Sequence, residues 1–165
     1  MSFFSLRVAS VERIIAEQVL KMYNENMVVS FDAIIERENI SFKGMPDMKS
    51  DNARGQFLAS GPDGYPTIYL DTKKQSLTSQ RFTLAHELGH YFLHHGSCVR
   101  DTYEVMTSNN SKEQSANNFA SELLLPTKEV IKFRRYFRHS VERIAEHFGT
   151  SKEYTQKILS NRKLI

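Results

Sequence analysis

The sequence reads as an α+β chain, a small, mostly antiparallel sheet packed with helices. Three features carry that reading. Apolar residues recur at helical spacing from Val11 to Met22 and again beyond Ser111. Between Ile40 and Leu70 they fall instead into short, strand-like runs divided by turn-rich segments. Helical spacing returns in Arg81 to His95, RFTLAHELGHYFLHH, which carries two histidines four residues apart. One face of a helix presents both of them, one turn above the other.

Taken in order, Ser10 is placed to N-cap a first helix whose core stripe is Val11, Ile14, Ile15, Val19 and Met22, fading at Asn24, Glu25 and Asn26. Ser30 starts a shorter helix with Phe31, Ile34 and Ile35 on one face. The strands are Ile40 to Lys43, Arg54 to Ala59 and Thr67 to Leu70, separated by turns at Gly44 to Asp47 and Ser60 to Gly64. The polar stretch from Asp71 to Ser76 leads into the central helix, with Ser76 or Thr78 as N-cap and Gly96 as its end. Residues 97 to 110 read as an irregular loop. Ser111, Lys112, Glu113 and Gln114 have the form of a capping box, opening a helix that ends near Pro126. Thr127 caps another helix, to about Phe137, and two short helices, Ser140 to His147 and Ser151 to Ser160, flank Gly149.

At 165 residues the chain is long enough for one domain with a substantial core. Its composition, 40% hydrophobic and 25% charged, is that of an ordinary globular protein, and a net charge of +3 does not by itself imply nucleic acid. No apolar run approaches the roughly 18 residues of a membrane helix, and the first residues lack the pattern of a secretion signal. The single cysteine, Cys98, has no partner for an internal disulfide and reads as an inert thiol in a reducing cytoplasm. A cytoplasmic location without a membrane partner is the expectation.

The chemistry sits in His86-Glu87-Leu88-Gly89-His90. Neutral imidazoles at this spacing can close on one divalent ion, with Zn–N distances of about 2.1 Å. Glu87 lies about 100° round the helix from His86, beside such an ion, where a general base for metal-bound water belongs. A third ligand is needed. His94 lies about 12 Å along the helix from His86, too far to share the ion. The longer HExxHxxGxxH pattern fails because Leu93 and Gly96 occupy its last two key positions. The downstream carboxylates are Asp101, Glu104, Glu113 and Glu122. Glu113 shares a stripe with Ala116, Ala120, Leu123 and Leu124, and the two alanines allow close approach near Gly89; Glu122 points the other way. A carboxylate on an inward face is costly unless it binds something, so Glu113 is the expected ligand. The alternative is a first-turn Glu that serves only the helix dipole.

The residues Gln80 to His90, QRFTLAHELGH, followed by Glu113 to Pro126, EQSANNFASELLLP, resemble the ImmA/IrrE metallopeptidases of bacteria, phages and mobile elements. The resemblance implies a zincin-like core in which His86, His90 and Glu113 bind zinc and Glu87 is catalytic. It implies also a protein substrate, commonly a helix-turn-helix repressor of a phage, mobile element or stress regulon. On this basis residues 1–139 are expected to form the metallopeptidase domain and residues 140–165 a helix-turn-helix-like C-terminal pair packed on it.

The function so read is that of a zinc endopeptidase, although manganese or iron also suits a His/His/carboxylate set. Tyr103, His94, His95 and His147 are the candidate donors to the oxyanion, with none preferred. Thr67 to Leu70, the strand nearest the central helix in sequence, is either a candidate edge on which an extended substrate could pair or a strand paired on both sides within the sheet. The competing class is a DNA-binding regulator that uses the C-terminal pair, with the metal site structural or vestigial. Lys132, Arg134, Arg135, Arg138, Arg162 and Lys163 flank that pair, but its second helix carries Glu153 near the reading end and only Lys152 and Lys157 as cations. That is thin for phosphate and base contacts, and DNA binding is not expected.

Overall fold

The computed structural model describes residues 9–25, 27–45, 54–100, 111–137 and 140–165. Helix α1 (Val11–Tyr23) is capped by Ser10, whose hydroxyl accepts from the Arg13 amide. Its buried face is Ala16, Val19, Leu20 and Tyr23, whereas Val11, Ile14 and Met22 are exposed. The expected stripe is therefore displaced round the helix. Apolar residues occur on more than one face of α1, and the helix turns inward the side that also carries the small Ala16. A two-residue hairpin follows, β1 (Asn24–Glu25) against β2 (Val28–Val29), with Met27 at φ 70° in its turn. It was not foreseen in the fading of the first helix. Helix α2 (Phe31–Arg37) is capped by Ser30, as expected.

Glu38, just beyond α2, ties two helices together. Its carboxylate accepts one hydroxyl from Tyr23 of α1 and another, at 2.9 Å, from Tyr91. Burial, reinforced by the hydrogen bond and charge of Glu38, pushes the Tyr91 phenol up to about 12.

The sheet consists of β3 (Ser41–Met45), β4 (Gly55–Leu58), β5 (Thr67–Asp71) and β6 (Cys98–Arg100), in the order β3-β5-β4-β6. Two of its three pairings are antiparallel and one, β3 with β5, is parallel. The expected sheet is thus present, with two corrections. β5 is paired on both sides, Ile68 opposing Phe42 on β3 and Phe57 on β4, so it has no free edge for a substrate. Residues 98–100, expected to be loop, form a fourth strand against β4.

Helix α3 (Leu77–Phe92) runs across this sheet and is capped by Ser76, whose hydroxyl accepts from the Ser79 amide. It ends at Phe92, before Gly96, because His94 takes a left-handed backbone at φ 54°. Helices α4 (Ser111–Leu124) and α5 (Thr127–Phe137) follow, on either side of Pro126. All eight residues from Thr83 to His90 are buried, because α3 lies between the sheet on one side and α4 on the other. At Gly89 a Cβ would stand 3.0 Å from the Ala116 Cα and 3.1 Å from its carbonyl oxygen. Glycine costs a helix about 1 kcal/mol relative to alanine. Overpacking against backbone costs about 1–3 kcal/mol, so close contact with α4 decides the residue.

Two short helices complete the chain, α6 (Val141–Phe148), with Gly149 at φ 65° as its C-cap, and α7 (Lys152–Asn161), capped by Ser151. Ile144, Phe148 and Leu159 form a second apolar cluster with Leu125, Val130 and Phe133. Arg162 closes the assembly, its guanidinium donating to the Leu125 carbonyl and pairing with Glu122 at 3.1 Å. Among the described residues no helix is long and apolar enough to cross a membrane.

Candidate metal centre

The loop before α3 sets the helix against the sheet. The Gln75 amide donates to the carbonyls of Arg54 and Asp71, each at 2.8 Å, and its oxygen accepts the Thr83 hydroxyl at 2.7 Å. Asp71 Oδ1 accepts from the amides of Lys73 and Lys74, fixing the turn between β5 and the loop. One helical turn beyond Thr83 is Glu87, fully buried beside β4. A Cβ on Gly55 would meet Thr83 Cγ2 at 2.5 Å and Glu87 Oε1 at 2.7 Å, so only glycine leaves room there for the carboxylate.

His86 and His90 project from α3 toward α4, where Glu113 reaches both. Its carboxylate oxygens lie 3.0 Å from His86 Nε2 and 3.2 Å from His90 Nε2, and the two Nε2 atoms are 3.0 Å apart. All three side chains are buried. Burial by itself pushes the Glu113 carboxyl up, but the hydrogen bonds and charges of the two histidines outweigh it and hold the group far below the usual carboxylate range.

The outer nitrogens are held as well. His86 Nδ1 is 2.9 Å from Asn117 Oδ1, an atom that can only accept, so Nδ1 donates there and Nε2 is the atom turned inward. His90 Nδ1 stands 3.0 Å from His95 Nδ1. Burial lowers the His95 pKa, with His90 and Lys112 pushing the same way. A bound dication would displace the protons that the imidazoles share with Glu113, and two lone pairs and a carboxylate would then converge on it. A tetrahedral ion with ligand distances of about 2.0–2.1 Å holds its donors about 3.3 Å apart, close to the separations here. The donor set therefore suits a divalent cation, and the three residues could hold one.

Of the other downstream carboxylates, Glu122 is turned away. It accepts the Thr127 amide and hydroxyl at 2.9 and 2.8 Å and so caps α5. Asp101 and Glu104 lie outside the described residues, as does Tyr103. His147 stacks on Phe133 with ring centroids 4.4 Å apart, inside the second apolar cluster, and His94 is exposed. His95 is engaged with His90. Neither Asn117 nor His95 was singled out from the sequence for holding a ligand. Asn117 had a visible signal, since it follows Glu113 by four residues and shares its helix face. The position of His95 depends on the turn after α3, which local pattern does not reveal.

Residues 35–160 match the model of the peptidase M78 family, described as the IrrE N-terminal-like domain. The chain belongs to that family. This M78 chain is also 36% identical over 97 residues to "Metallopeptidase ImmA" of Bacillus subtilis (strain 168), a match spanning 56% of each protein. It thus covers only about half the length of that curated relative. Among solved structures it resembles a Mycobacterium tuberculosis transcriptional regulator, with TM-score 0.60 and 14% identity over 87% of this chain and 44% of that one. At that identity the likeness is one of fold.

The geometry makes Asn117 testable. Asn117→Leu keeps the side-chain size and removes the acceptor for His86 Nδ1. Metal affinity, measured by competition with a chromogenic chelator, is expected to fall about 10- to 100-fold. Asn117→Asp, which retains an acceptor, is expected to restore most of it.

Proposed function

We propose that this M78 protein is a cytoplasmic zinc endopeptidase, in which His86, His90 and Glu113 hold the ion and Glu87 is the general base. The observation that carries the proposal is the convergence of the three side chains on one point, with Glu87 on the same helix and absent from the ligand set. Zinc at such a site lowers the pKa of a bound water toward about 7 and polarises a carbonyl. The work of the chain's own groups follows from their placement. Asn117 and His95 orient the two imidazoles. Glu87, packed against Gly55, takes a proton from the attacking water and passes it to the leaving amine.

The substrate class that the family resemblance suggests is a helix-turn-helix repressor of a phage, mobile element or stress regulon. The alternative, a DNA-binding regulator built on α6 and α7, has less support. Lys152, one of only two cations in the body of α7, is paired with Glu142, and Tyr154 packs on Phe82 of α3 with ring centroids 5.0 Å apart.

Chelation tests the reading. Metal-free protein is expected to leave both casein and purified helix-turn-helix repressors intact, and stoichiometric Zn2+ to restore cleavage. Cleavage that persists without metal, or is absent with it, refutes the proposal.

A further inference from the structure

A cavity of about 410 Å³ adjoins the cluster, between the first turns of α3, the second half of α4 and one face of α7. Asn117, the acceptor for His86, forms part of its wall, and so do Phe82 and Thr83, each one helical turn before a motif residue. None of His86, Glu87, His90 and Glu113 lines it, so it is a chamber beside the cluster and not the ligand set itself. Its far wall is α7, through Tyr154 and Lys157.

Among the described residues the charge of the lining is one-sided. Of these, Arg54 and Lys157 are the ionised ones, and no described Asp or Glu lines the cavity. Both cations are exposed, and neither is ion-paired among the described residues. The rest of the lining includes the amide side chain of Asn118, which has no partner among the described residues and which an aliphatic occupant would leave unsatisfied. A Lys or Arg side chain would meet like charge. A carboxylate would meet two cations and several neutral donors.

We infer that this cavity is a substrate subsite that takes an acidic side chain, Asp or Glu, from a residue close to the cleaved bond, with Lys157 as the specificity-determining cation. The inference rests on the peptidase reading for its catalytic readout. The reach is set by backbone geometry. Thr83 lies one 5.4 Å helical turn from Glu87, and an extended peptide advances about 3.3 Å per residue. The near wall of the cavity is therefore about two residues of extended peptide from Glu87, which puts the acidic residue on the same short stretch as the scissile bond. The inference also gives the C-terminal helix a task, as one wall of the substrate groove.

The test is cleavage-site profiling of a proteome-derived peptide library, with the zinc-loaded wild type and with Lys157→Glu. The wild type is expected to favour Asp or Glu about tenfold at one position near the cut, with the preference shrinking as salt rises. Lys157→Glu is expected to shift that position toward Lys and Arg at unchanged metal content. A wild-type profile without acidic enrichment overturns the inference, and so does an enrichment that survives Lys157→Glu. A second arm needs no catalysis. Two fluorescein-labelled degenerate peptide pools, one with a central Glu and one with a central Lys, are titrated against the Glu87→Gln protein. Tighter binding of the Glu pool, lost in Glu87→Gln/Lys157→Glu, supports the subsite even if wild type cleaves nothing and the peptidase reading fails. Equal binding of the two pools, or none, overturns it.

Discussion

Glu87→Gln is expected to bind metal as the wild type does and to hydrolyse substrate about 10²- to 10⁴-fold more slowly. The two halves of this result have separate structural causes. Metal retention follows because Glu87 lies outside the convergent set of His86, His90 and Glu113. Loss of rate follows because the amide has nearly the shape of the carboxylate but cannot accept a proton at neutral pH. The substitution also removes a charge from a fully buried position, where charge is costly. Thermal stability should therefore be unchanged or higher, so that lost activity cannot be put down to unfolding. Metal content by elemental analysis, a melting curve and single-turnover cleavage of one substrate measure the three quantities. Wild-type turnover by the Gln variant would remove Glu87 from the mechanism.

The parts of this site that were legible in the sequence are those set by local periodicity. Ser76 caps α3 through the amide three residues on, and the four-residue spacing of His86 and His90 places both imidazoles on one edge. Glu113 was legible for the same reason, since its helix face is defined by Ala116 and Ala120, and Gly89 packs against the first of these. What was not legible depends on partners distant in sequence. The pairing of β3 with β5 crosses over β4, and it converts the supposed edge at Thr67 to Leu70 into an interior strand. The inward face of α1 is chosen by the helix it meets, α4, where the Ser115 hydroxyl donates to Glu12 at 2.8 Å. Gly55 shows its purpose only once β4 is laid against α3, and its missing side chain becomes the space that Glu87 occupies.

Glu113→Ala should abolish both metal binding and hydrolysis, and it separates the two roles that the sequence allows this residue. Removing an outer partner of a ligating histidine costs about 10- to 100-fold in metal affinity. Removing a ligand itself must cost more, so dialysed protein is expected to carry almost no metal and to show no cleavage. If Glu113 served only the dipole of α4, where it stands in the first turn, alanine would cost about 0.3–1 kcal/mol of stability and leave metal and activity in place. A second substitution makes the distinction sharper. Gln114 is the exposed next residue in that turn, so Glu113→Ala/Gln114→Glu returns a negative charge to the helix terminus but not to the histidines. The double variant is expected to regain the dipole contribution in a melting curve and still to bind no metal. The histidines account for that difference. Without the carboxylate that lies 3.0 Å from His86 Nε2 and 3.2 Å from His90 Nε2, two imidazoles remain, and two neutral donors neither complete the coordination nor offset the charge of a buried dication. Full metal occupancy in Glu113→Ala would assign the carboxylate to the helix and send the search for a third ligand elsewhere.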